Sequence, residues 1–114
     1  MTLDSISAGW SLQHDGWELQ SPVGCRVFLS SGERRLMQAL AAQPGVTLSR
    51  PALCAAVATV HRNESRLRHG TRRVDMLVSR LRAKARQTGD ELPLISVPGQ
   101  GYALSIRLNA KIPA

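Results

Sequence analysis

The stretch Thr71 to Gln87, TRRVDMLVSRLRAKARQ, has the spacing of a helix with two unlike faces. Val74, Val78, Leu81 and Ala85 recur at intervals of three and four, which places them on one side of a helix. Arg73, Arg80, Lys84 and Gln87 recur on another side, flanked by Arg72, Ser79, Arg82 and Arg86. The apolar stripe can hold such a helix to a protein body while the basic side chains point outward. Asp75 is expected in the first turn, where a negative charge suits the helix dipole, with basic residues filling the remainder. At 1.5 Å per residue the element is roughly 25 Å long, a size that enters a DNA major groove. Taken alone, the stretch equally describes a solvated amphipathic helix with ordinary surface arginines, so its surroundings must discriminate.

A chain of 114 residues has room for one domain with a modest core. Its 15 Lys and Arg against 8 Asp and Glu give a formal net charge of +7. The excess is concentrated: residues 61–90 hold nine basic and three acidic side chains, a net of +6, whereas residues 1–30 hold one basic and three acidic, a net of −2. One strongly positive side favours a polyanionic partner such as nucleic acid. A membrane partner is disfavoured, because the basic face lacks the Trp and Phe of an interfacial helix and no stretch approaches a transmembrane span. The start, MTLDSISAGW, has neither a basic opening nor an apolar run, so a cytoplasmic protein is expected.

Chemistry finds little to work with. Cys25 and Cys54 have no second ligand at metal spacing and read as small core side chains in a reducing compartment. His61 and His69 stand eight apart with no third ligand nearby. No nucleophile with a base, no paired acids and no phosphate-cradling glycine loop appear, so neither an enzyme nor a cofactor or metal site is expected.

Along the chain, Trp10–Gln13, Trp17–Gln20 and Cys25–Leu29 read as three short strands, broken at His14-Asp15-Gly16 and at Ser21–Gly24. Trp10, Leu12, Trp17, Leu19, Val27 and Leu29 supply alternate positions for one covered side, and the two tryptophans read as packing groups rather than base-stacking ones. Ser30 or Ser31 caps a helix to about Gln43, with Leu36, Met37 and Leu40 inward, Glu33 able to pair with a nearby arginine, and Pro44-Gly45 as the stop. Val46-Thr47 adds a very short extended piece. Ser49 then caps a compact helix from Pro51 to Val60 that turns Leu53, Val57 and Cys54 to the core. His61 to Gly70 has no apolar period and reads as an exposed loop carrying Arg62, Arg66 and Arg68. Beyond the long helix, Thr88-Gly89-Asp90 is a stop. Leu92–Val97 and Tyr102–Ile106 form a hairpin around Pro98-Gly99-Gln100-Gly101. The order is an α+β winged helix-turn-helix: N-terminal antiparallel sheet, three helices, C-terminal β-hairpin wing. Residues 10–108 form the domain, with a flexible N-terminus at 1–9 and a flexible tail at 109–114.

From Trp10 to Ile106 the chain resembles the OmpR/PhoB type of winged-helix DNA-binding domain, the output half of bacterial two-component response regulators. The most specific marks are Arg72, Val74, Asp75, Arg80, Leu81, Arg82 and Lys84 at their spacing and the ending Pro98-Gly99-Gln100-Gly101-Tyr102. Leu29, Glu33, Leu36, Leu40, Pro44-Gly45, Ser49-Arg50 and Leu53 also fit. The resemblance implies an N-terminal four-stranded sheet, a wing paired with a short strand between the first two helices, and a recognition helix from Thr71 in the major groove, with the hairpin at Gly99 near the neighbouring minor groove.

Position by position, it implies that Arg80 reads bases, where its planar fork suits guanine O6 and N7, and that Met76 touches a thymine methyl or sugar. Arg73, Arg82 and Lys84 match phosphate-facing positions, and Arg72 an arginine that pairs with acidic groups or phosphate. Ser79 stands beside Arg80 where relatives often carry a second arginine, Pro98 where many have an arginine before the first wing glycine, and Ala58 where they often have tryptophan. Gln100 is the wing's candidate contact. Arg62, Arg66 and Arg68 fall where the family meets RNA polymerase or DNA, in a loop longer than usual. A receiver domain in a longer chain, a monomer alone and tandem half-sites on double-stranded DNA complete the expectation. The competing use of the same fold is a module that docks a partner protein; an RNA-binding use lacks an exposed aromatic pair.

Overall fold

A computed structural model of the chain describes residues 9–58, 70–105 and 109–110. Three short antiparallel strands open it: β1 Ser11–Gln13, β2 Glu18–Gln20 and β3 Arg26–Phe28. Leu12 faces Leu19 across the first pair and Leu19 faces Val27 across the second, so each strand gives one apolar residue to the same buried row. The β1–β2 connection is a 3-10 turn, His14–Gly16, with His14 and Asp15 both at positive φ. Helix α1, Ser31–Ala42, braces it: Arg34 Nε and Gln38 Nε2 both donate to the Asp15 carbonyl.

Ser30 is the cap of α1, and the capping box is complete. Its hydroxyl accepts from the Glu33 amide at 3.3 Å while Glu33 Oε1 accepts from the Ser30 amide at 2.8 Å. Strand β4, Leu48–Ser49, follows, and Ser49 caps α2, Arg50–Val57, by accepting from the Ala52 amide. Helix α3 runs Gly70–Arg86, and the hairpin consists of β5, Leu94–Val97, and β6, Gly101–Leu104. A second sheet has the order β4-β6-β5. The three helices pack on one another and share one core with both sheets. Trp10, Leu19, Leu36, Met37, Leu40, Leu53, Val74, Leu81 and Leu104 are fully buried among them. Trp10 also satisfies its indole N–H on the Glu91 carbonyl at 3.0 Å.

Several details depart from the sequence expectation. The short strand after α1 lies at Leu48–Ser49 rather than Val46-Thr47, because its partner is Tyr102-Gly101. A Cβ on Gly101 would stand 2.0 Å from the Leu48 carbonyl oxygen, so only glycine permits that approach. Helix α2 ends at Val57, and Ala58 is already extended. The hairpin strand begins at Leu94, after Pro93, whose missing N–H cannot join the ladder. The fourth strand of the first sheet, β7 at Asn109–Ala110, comes from the C-terminal side and pairs parallel to β1, where a free tail was expected. Cys25 is exposed and only Cys54 is buried. Trp17 is half exposed, with the Arg34 guanidinium 4.5 Å from its ring centroid, so it is no core group.

Candidate nucleic-acid interface

Helix α3 is anchored by the expected stripe: Val74, Val78, Leu81 and Ala85 are at most 1% exposed, and Leu77 joins them at 3%. Opposite that stripe Arg72, Arg73, Met76, Ser79 and Arg80 are exposed, and Met76 leaves nearly half its surface to solvent. Among the described residues none of the three arginines has a hydrogen-bond or ion-pair partner. Arg73, Met76 and Arg80 border an open hollow whose other wall is the first turn of α1 at Ser30, Ser31 and Gly32. A Cβ on Gly32 would sit 3.1 Å from Arg73 Nη2, so the small residue leaves the guanidinium its place.

Two of the expected phosphate contacts are otherwise engaged. Lys84 Nζ donates to Glu33 Oε1 at 2.6 Å and to the Phe28 carbonyl at 2.9 Å, which ties α3 to the cap of α1. Glu33, with its side chain 1% exposed, therefore pairs with a lysine rather than an arginine. Arg82 Nη2 donates to the Leu94 carbonyl at 2.8 Å and to Ser96 Oγ at 3.0 Å, holding β5. Its guanidinium also lies 5.9 Å from the Tyr102 ring centroid.

Asp75 is not in the first turn, because α3 starts at Gly70, and its partners come from other elements. Its Oδ1 accepts from Arg50 Nε at 2.8 Å and from the Tyr102 hydroxyl at 2.5 Å, and Arg50 stands 5.2 Å from the Tyr102 ring centroid. Partial burial pushes the Asp75 carboxyl upward, but the hydrogen bonds from Arg50 and Tyr102, with the Arg50 charge, outweigh it and leave its pKa below the ordinary value. Burial, seconded by the bond to Asp75, raises the Tyr102 phenol. The bond to Asp75, with the neighbouring Tyr102 second, raises Arg50 further. The residue pattern around Arg50 gave no hint of this cluster. The one available signal was Tyr102 itself, since a buried phenol requires a partner.

The wing tip turns at Val97-Pro98-Gly99-Gln100, closed by the Gln100 amide donating to the Val97 carbonyl at 2.9 Å, with Gly99 at φ +74. Gln100 is exposed there, beside the exposed Pro98. Arg62, Arg66 and Arg68 lie outside the described residues. Among the described residues no group of three His, Cys, Asp or Glu could hold a metal, and no helix is long and apolar enough to cross a membrane.

Residues 24–104 match the family described as "Transcriptional regulatory protein, C terminal". Among solved structures, the DNA-binding domain of Bacillus subtilis CssR is similar at 26% identity and a TM-score of 0.63, covering 83% of this chain and 98% of that one. The DNA-binding domain of the response regulator AdeR, in complex with an intercistronic region, is 22% identical with a TM-score of 0.62, covering 90% and 96%. The Klebsiella pneumoniae RstA DNA-binding domain, in complex with the RstA box, is 24% identical with a TM-score of 0.55, covering 77% and 82%. No curated protein sequence matches the chain.

Proposed function

The chain belongs to the family of C-terminal domains of transcriptional regulatory proteins, and from that premise we propose that it reads specific sequences in double-stranded DNA. It is a DNA-binding output domain of a regulator and not an enzyme. The observation that carries the specific reading is the outward strip of α3. Arg72, Arg73, Met76, Ser79 and Arg80 are exposed on a helix whose opposite stripe is fixed in the core. In this reading α3 lies in the major groove, Arg80 addresses a guanine edge, Met76 a thymine methyl, and Arg72 and Arg73 the flanking phosphates. Gln100 on the wing meets the adjacent minor groove. Arg82 and Lys84 shape the surface and hold it in place.

The DNA complexes of AdeR and RstA, which share the fold, support double-stranded DNA as the partner. A cytoplasmic setting, a receiver domain in a longer chain, a monomer that pairs on tandem half-sites, and RNA polymerase contact by Arg62, Arg66 and Arg68 belong to the same proposal.

The test is selection of bound sites from a random duplex pool, followed by affinity measurements for a selected and a random duplex across a salt series. The expected result is one recurring site, tighter than random DNA, with affinity falling steeply as salt rises. Undetectable duplex binding at low salt would sink the proposal and leave a protein-docking module. Displacement by single-stranded RNA at equal concentration would move it to RNA.

A further inference from the structure

Building on the DNA reading above, we propose that Asp75 is a positioning residue: acting through Tyr102 and Arg50 rather than by touching DNA, it fixes the wing against the recognition helix. Three elements meet at its carboxylate. Asp75 belongs to α3, Tyr102 to β6 of the wing, and Arg50 is the first residue of α2. Both donors use the same oxygen, Oδ1, at 2.5 Å from the phenol and 2.8 Å from the guanidinium. Hydrogen bonds to an ionised acceptor are short and directional, which apolar contact is not.

The other wing strand is attached separately. Arg82, seven residues further along α3, donates to the Leu94 carbonyl and to Ser96 Oγ of β5. Seven residues span about 10 Å of helix at 1.5 Å each. Added to the β4 pairing, these two side-chain attachments, on different strands and about two turns apart, fix the angle of the hairpin against α3. The cluster sits where β4 also joins the wing, since Ser49 pairs with Gly101 directly beside Arg50 and Tyr102. A domain that enters the major groove with Arg80 and the minor groove with Gln100 needs those two points at a fixed separation, and a shift of about 1 Å is enough to spoil such a constellation.

The experiment compares two duplexes carrying the selected site, one covering both grooves and one shortened so that no DNA lies beneath the wing. Tyr102→Phe removes the phenol without changing charge and is the decisive variant; Asp75→Asn and the double variant accompany it. Thermal unfolding of each establishes that the protein measured is folded. On the full duplex each single variant is expected to bind about fivefold more weakly, the scale of one lost hydrogen bond. On the shortened duplex Tyr102→Phe should match wild type within about twofold, and the double variant should lose no more than the larger single loss on the full duplex. Equal loss on both duplexes, additive losses, or no loss on the full duplex would overturn the inference. Failure of wild type to bind either duplex would instead refute the DNA reading on which it rests.

Discussion

Arg80 and Lys84 stand one turn apart on α3 and have opposite surroundings. Arg80 is exposed and without a partner among the described residues, whereas Lys84 is held by the Glu33 carboxylate and the Phe28 carbonyl. Helical spacing puts both near the same side of the helix, yet the neighbours of Lys84 lie 51 and 56 residues away in sequence, beyond the reach of any local pattern. A stripe of basic residues is therefore two populations: cations with no partner among the described residues and cations used by the fold.

The largest effect belongs to the tied population. Glu33→Ala removes the carboxylate that completes the α1 capping box and leaves Lys84 without its ion-pair partner. A loss of about 3 kcal/mol in denaturant unfolding is expected, at the low end for breaking a buried pair because Lys84 is still partly exposed. A loss below about 1 kcal/mol would show that the pair holds nothing and would erase the contrast.

Lys84→Met sharpens the same point from the other partner. Stability should fall by about 1–2 kcal/mol, the scale of hydrogen bonds from a charged donor. The salt slope of duplex binding by the folded variant should stay unchanged, and a slope lowered by about 1 would move Lys84 onto a phosphate.

A pH series separates the Asp75 cluster from both. Asp75 titrates below its ordinary value in the folded protein, so its contribution to stability is present above the unfolded carboxylate pKa and is lost as pH falls through the depressed folded value. Tyr102 is shifted up, so its contribution holds below the unfolded phenol pKa and is lost as pH rises through the raised one. Thermal unfolding against pH should lose part of its acid limb in Asp75→Asn and part of its alkaline limb in Tyr102→Phe. Parallel curves for wild type and both variants would contradict the assignment.

The smallest effect is expected at the wing. Pro98→Arg adds a cation beside Gln100 and should raise general duplex affinity by about threefold at low salt. No gain would place the wing away from DNA.

What could be read from the sequence follows physical range. The apolar stripe of α3, the Ser30 and Ser49 caps and the Gly99 turn depend on neighbours within a few residues, and each was legible from spacing and residue type. The β4 position, the parallel β7 strand and the exposure of Trp17 and Cys25 depend on distant strands and helices, and local pattern missed them. The site divides the same way. Exposure of Arg72, Arg73, Met76, Ser79 and Arg80 follows from the helix period, whereas the capture of Arg82 by β5 and of Asp75 by Arg50 and Tyr102 needed the tertiary fold.

The most direct test of the central division is the affinity of Arg80→Ala and wild type for a selected site and for random DNA at one salt concentration. Arg80→Ala should lose about 1–3 kcal/mol on the selected site, bind random DNA nearly as wild type does, and unfold at an unchanged temperature. Equal weakening on both duplexes, or none on either, would contradict the assignment of Arg80 as the residue that reads bases.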